Sequence, residues 1–148
     1  MPHDPFDVWA DMAIKIWPEN YWLVGLAPGS LPVAARALED STSRYACIIQ
    51  DQTGFSVVVD ETVFGGMKDS PAVRASFGPL KVISTDSPLP FDVVGFIQAA
   101  LREVNGAGYK AAPQCGAAAD HFFTGAADIE MVEAQFRRLI SDARARRR

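Results

Sequence analysis

Cys115, Asp120 and His121 are the residues of this chain whose types and spacing invite chemistry. A thiolate activated by an imidazole is a nucleophile, and a nearby carboxylate can orient the imidazole or take a proton. Sequence neighbours in a strand point to opposite faces, so adjacency alone does not make Asp120 and His121 a dyad. The other histidine is His3, so side chains of this chain alone cannot supply a multi-histidine metal site. Cys47 and Cys115 belong to no CxxC pair and are too few for a disulfide framework, and both read as buried thiols. Neither a cofactor nor a metal is expected. Gly65-Gly66 and the glycines around Gly106 lack the spacing and the lysine of a phosphate-cradling loop. No GxGxxG follows a strand, and no GxSxG elbow is present.

Composition narrows the setting in which these groups act. With 148 residues, 49% hydrophobic and 22% charged, the chain can bury an ordinary core as one domain or as two small interlocked lobes. No apolar run approaches the ~20 residues that span a bilayer, and Met1 to Asp7 lack the cationic start and apolar middle of a signal peptide. The expectation is a cytoplasmic protein that partners neither membrane nor nucleic acid. The formal charge of −4 supports the second exclusion, because phosphate neutralisation needs a concentrated basic surface. Arg144, Arg146, Arg147 and Arg148 form the one basic cluster, read here as a solvated helix end where cations complement the helix dipole.

The elements that must position the reactive groups follow from periodicity. Residues 1–11, rich in proline and aspartate, read as a loosely packed lead-in. Met12 to Trp17 and Tyr21 to Ala27 read as two strands joined at Pro18-Glu19-Asn20 into a hairpin. Trp17, Tyr21 and Trp22 can line a pocket, although aromatics flanking a hairpin turn more often pack across strands. Val33 to Leu38 suffices for a short helical turn. Tyr45 to Ile49 and Phe55 to Val59, joined by Asp51-Gln52-Thr53-Gly54, form a second hairpin, and residues 60–73 read as a connector between lobes.

Leu80 to Ile83 then gives a strand. Val93, Ile97, Ala100, Leu101 and Val104 recur at helical spacing behind a candidate N-cap at Asp92. Two further strands cover 109–115 and 120–124. A closing helix begins at Asp128 and carries the stripe Ile129, Val132, Phe136, Leu139 and Ile140. Ile97, Leu101, Phe122, Val132, Phe136 and Leu139 are the expected core.

The runs Gly78-Pro79-Leu80-Lys81-Val82-Ile83, Leu89 to Ile97, Ala107-Gly108-Tyr109 and Asp120-His121-Phe122-Phe123, followed by an amphipathic helix, resemble ACT domains. The likeness is to short tandem ACT-like proteins related to aspartokinase regulatory domains and to CASTOR-type arginine sensors. It implies an α+β, ferredoxin-like fold, with antiparallel sheets carrying helices on one face. Two interlocked lobes, 1–72 and 73–148, are expected, with the last strand of the second supplied from the N-terminal half. It also implies a ligand site near Phe91, Asp92, Val93 and Gly95, facing Gln114, Cys115, Gly116, Asp120 and His121. In that site leading helix amides attract a carboxylate, Asp120 holds an ammonium group, and Gly116 leaves room. Relatives carry a polar loop after the strand ending in Gln114-Cys115, where this chain has Gly116-Ala117-Ala118-Ala119. Three readings stay open: a regulatory protein sensing an amino acid or related molecule at the interface between the lobes, a small enzyme using Cys115, Asp120 or His121, and an interaction domain with an empty pocket. A homodimer is expected in each case.

Overall fold

A computed structural model describes residues 3–148. In chain order the elements are α1 (Pro5–Ala10), β1 (Ile14–Ile16), β2 (Tyr21–Leu26), α2 (Leu31–Asp40), β3 (Cys47–Asp51), β4 (Gly54–Asp60), α3 (Glu61–Met67) and β5 (Val73–Thr85). They continue with α4 (Phe96–Gly106), β6 (Ala112–Cys115), β7 (Asp120–Gly125), a 3-10 turn (Ala126–Asp128) and α5 (Ile129–Arg146). Two compact units result: Trp17–Lys81, and the residues up to Ile16 taken together with Val82–Arg148. The division expected at 72/73 differs because β5 contributes residues to both units and because β1 belongs with the C-terminal residues.

Within Trp17–Lys81 the strands follow the order β3-β4-β2-β5, with antiparallel neighbours. This is the ferredoxin-like βαββαβ arrangement. Val24 lies opposite Val57, Trp22 opposite Val59 and Leu26 opposite Phe55, so a single face carries the large apolar side chains. That face packs on Ala34 and Ala37 of α2 and on Val63 and Met67 of α3. The buried Asp60 carboxylate accepts the Thr62 and Val63 amides at 3.1 Å and the Ser41 hydroxyl at 3.0 Å, so its desolvation is offset by charge-assisted bonds while it caps α3.

The other unit has the order β1-β5-β7-β6, the same arrangement with its last strand drawn from the start of the chain. Ile14 pairs with Thr85 and Ile16 with Ile83. Ile83 and Phe122 on the sheet meet Phe96, Ala100 and Val104 of α4 and Val132, Phe136 and Leu139 of α5. Added to this plan is α1, capped by the Asp4 carboxylate, which sends the fully buried Trp9 into the same core. The Trp9 ring stacks on Phe96 at 4.1 Å and meets Phe136 edge-on at 5.8 Å.

Several expectations from the sequence need correction. The hairpin over 12–27 does not form: β1 pairs with β5, because Ile14 and Ile16 pack against the Trp9 core, while β2 pairs with β4 and β5. The lead-in is a docked helix from Pro5 onward, and Met1 and Pro2 lie outside the described residues. Residues 31–40 make a ten-residue helix rather than a turn, and the supposed connector holds α3. Helix α4 starts at Phe96, capped by Gly95 and not by Asp92, and its phase buries Phe96 and Ala99 while Ile97 and Leu101 are only partly covered.

The helix-end arginines are partnered rather than simply solvated. Arg147 pairs with Asp11 at 2.7 Å and with Asp7, Arg146 lies over the Phe6 ring at 3.9 Å, and Arg144 donates to the Ala10 carbonyl. Asp128 precedes α5 without a side-chain capping bond. The 45–60 hairpin and the closing helix form as expected, the latter running on to Arg146. No described helix is long and apolar enough to cross a membrane.

Because Phe136 sits at the junction of α1, α4, α5 and β7, Phe136→Ala is expected to cost about 3–5 kcal/mol in denaturant unfolding through lost transfer energy and an unfilled cavity. A loss on the scale of a surface change, below about 1 kcal/mol, would contradict this packing.

Candidate functional site

Helix α4 begins without a side-chain cap, since its N-cap is Gly95 at φ +86°, a conformation that side-chain-bearing residues rarely adopt. Its leading amides therefore lack side-chain partners and carry the positive end of the helix dipole. They border a cleft of about 380 Å³ lying wholly within the unit that contains α4. One wall is the loop and first turn, with Leu89, Pro90, Phe91, Val93, Phe96, Ile97 and Gln98; the other is Cys115, Gly116, Ala117 and Asp120.

The second wall follows from strand register. Cys115 lies opposite Asp120, and Gln114 lies opposite His121, so the first pair shares one face of the β6-β7 ladder and the second pair the other. Asp120 is on the same side as the core residue Phe122 and is only 7% exposed. Its amide donates to Thr85 Oγ1 at 3.0 Å. Burial raises its carboxyl above the ordinary value of 3.8, opposed by the Cys115 thiol that donates to it and by the charge of His121. Cys115 is exposed and Cys47 half-buried rather than both buried as expected, and the Cys115 thiol is pushed up as well, first by desolvation and then by the Asp120 charge and hydrogen bond. This is the reverse of the lowered thiol that nucleophilic catalysis needs.

Of the residues expected at the site, Phe91, Val93, Gly95, Cys115, Gly116 and Asp120 line this cleft, while Asp92, Gln114 and His121 do not. Asp92 points to His3 Nε2 at 3.4 Å with both side chains largely solvated. Gln114 donates to the Cys115 carbonyl at 3.2 Å. His121 Nδ1 is 2.6 Å from Ser84 Oγ, and burial holds its imidazole below the usual value against the pull of Asp120.

Gly116 is there for the tight turn to Ala119 rather than for room: a Cβ would meet the Ala119 carbonyl oxygen at 2.8 Å. Sequence reasoning missed Leu89, Pro90, Phe96, Ile97 and Gln98, while Ala117 was expected only as one of the small residues that leave room beyond Gly116. Ile97 and Gln98 were findable as first-turn residues once Gly95 was taken as the cap. Among the described residues no group of three or more His, Cys, Asp or Glu is arranged to hold a metal. The arrangement can hold a molecule with an anionic end at the helix amides and a cationic end at Asp120, between apolar walls.

The raised carboxyl has a consequence for stability. The unfolded chain releases the Asp120 proton near pH 3.8 and the folded chain only at higher pH, so native stability falls as pH rises through the raised value. Asp120→Asn is expected to melt higher than the wild type at pH 7, with the advantage shrinking as pH falls toward 3.8. A variant less stable at pH 7, or a difference independent of pH, would contradict the assigned cause.

No protein-family model matches the sequence, and no curated protein does either. Solved structures are similar in shape. A Vibrio cholerae protein of unknown function, described as a possible transport protein, aligns at TM-score 0.71 and 12% identity over 91% of this chain and 94% of its own. The α and β subunits of an aspartokinase align at TM-score 0.63 and 15% identity, over 87% of this chain and 97% of that one. The regulatory subunit of aspartate kinase from Thermus thermophilus aligns at TM-score 0.59 and 8% identity, over 85% and 95%. At such identities the likeness is one of fold, and the chain folds as an α+β structure similar to the ACT-like regulatory domains of aspartokinases.

Proposed function

We propose that this chain is a regulatory sensor that binds a small zwitterion, an amino acid or a close derivative, in the cleft at the start of α4. One observation carries the reading: an uncapped helix N-terminus and a buried carboxylate border the same small cleft, offering opposite charges to one ligand. The amides following Gly95 receive the ligand carboxylate, and Asp120 receives its ammonium group. Ligation also offsets the desolvation of an ionised Asp120, which couples occupancy to the stability of the whole unit. The fold likeness to aspartokinase regulatory subunits supports a sensing role. The raised Cys115 thiol, with His121 on the other face of the ladder, disfavours the enzyme reading. The proposal includes a cytoplasmic homodimer, the symmetric pairing common among such units.

A thermal-shift screen of the proteinogenic amino acids, followed by calorimetric titration of any hit, is the test. A ligand at 100 times its dissociation constant stabilises the fold by about 2.7 kcal/mol. Asp120→Asn is expected to weaken that ligand by about tenfold or more, the cost of losing one charge-assisted bond, while melting higher without ligand. Unchanged affinity in Asp120→Asn moves the site elsewhere. Light scattering is expected to give twice the 16.0 kDa chain mass, and a monomer mass across micromolar concentrations removes the dimer.

A further inference from the structure

We propose a second binding site, for a small molecule carrying two or more negative charges, in the groove between β1 and α5. The groove encloses about 580 Å³ and is lined by Met12, Ala13 and Ile14 on one side and by Arg137, Ile140, Ser141, Arg144, Ala145 and Arg148 on the other. Within α5, Ile140, Ser141, Arg144 and Ala145 recur at steps of three, four, seven and eight from Arg137, which puts them on one face of the helix, and Arg148 follows beyond its end. On a chain of net charge −4, three guanidiniums and no carboxylate line this groove.

The neighbouring arginines are engaged elsewhere: Arg147 and Arg138 by carboxylates, and Arg146 by the Phe6 ring at 3.9 Å. Arg147 is held by Asp7 and Asp11, and Arg138 faces Asp142. Among the groove arginines, Arg137 spends its Nε and Nη2 on Glu133 at 2.9 and 2.8 Å. Arg144 places its Nε on the neutral Ala10 carbonyl at 2.8 Å, which anchors the side chain while it lines the groove. Three guanidiniums against Glu133, which pairs with Arg137, and Asp11, whose charge bears on Arg144, leave the groove net positive. The C-terminal end of α5 opposes them with only about half a charge.

A dianion is therefore the matching ligand, and Ser141 adds a neutral donor. The apolar floor of Met12, Ile14 and Ile140 suits a carbon skeleton rather than a bare ion, and the volume lies in the range of small-molecule sites, roughly 300–1,000 Å³. A second copy of the chain is disfavoured as occupant of this groove, because symmetric pairing here would oppose like charges. This site shares no residue with the α4 cleft and stands independently of the sensor reading.

Isothermal titration at low ionic strength with pyrophosphate and with citrate separates phosphate from carboxylate chemistry. At least one is expected to bind, more weakly as salt is added. The double variant Arg137→Gln/Arg148→Gln is expected to weaken binding by about tenfold or more, the scale of a lost charge-assisted bond, with an unchanged melting midpoint in the absence of anion. Arg138→Gln, outside the groove, is expected to bind as wild type. Absence of binding by both probes at millimolar concentration overturns the proposal. So does equal weakening by Arg138→Gln, which would mark nonspecific screening, or binding of an acidic peptide where neither small anion binds.

Discussion

Trp9 fixes the arrangement on which the candidate cleft depends. Its ring lies parallel to Phe96 at 4.1 Å, and its indole Nε1 donates to the Phe96 carbonyl at 2.8 Å, so the first residue of α4 is held by ring and by backbone. Such aromatic pairs contribute ~0.5–1.5 kcal/mol beyond their buried area. With Phe96 turned inward, Gly95 falls at the cap and Ile97 and Gln98 turn toward the cleft. The phase of the helix, and with it the placement of the uncapped amides, follows from one buried indole contributed by a helix that the ferredoxin-like plan does not require.

That helix is held in turn by charge and packing at the far end of α5. Arg144, Arg146 and Arg147 use three different interactions on α1: a carbonyl, an aromatic face and two carboxylates. Each is exposed and modest by itself. Together with the Trp9 contacts they hold the first residues against α5, which is how β1 comes to pair with the end of β5, at Ile83 to Thr85.

The two buried carboxylates show opposite solutions to one problem. Asp60 is satisfied by three donors and works as a helix cap. Asp120 has the weak donor of Cys115 and a raised proton affinity, so it is a cost that the fold tolerates beside an open cleft. A group of that kind is where binding can return free energy to the fold, and this links the local chemistry of the cleft to stability.

Local signals in the sequence were sufficient for the second hairpin and the closing helix, but the local caps Asp4 and Asp60 that start α1 and α3 went unread. The turn Asp51-Gln52-Thr53-Gly54 between β-branched runs determined the β3-β4 hairpin, and the 3.6-residue stripe through Val132, Phe136 and Leu139 determined α5. Gly95, Cys115 and Asp120, singled out for their types and their positions beside a helix start and a strand turn, line one cleft. Partner choice was not legible. An isolated run such as Ile14-Lys15-Ile16 carries no information about which distant strand it joins, and pairing with β5 was decided by burial of its isoleucines against the Trp9 core. The faces of Asp120 and His121 were likewise decided by register: Cys115 opposite Asp120 turns the carboxylate into the cleft and sends the imidazole to Ser84 on the other side. Strand alternation said that the two residues must part, and only the pairing of β6 with β7, packed against α4, settled which of them meets the helix amides.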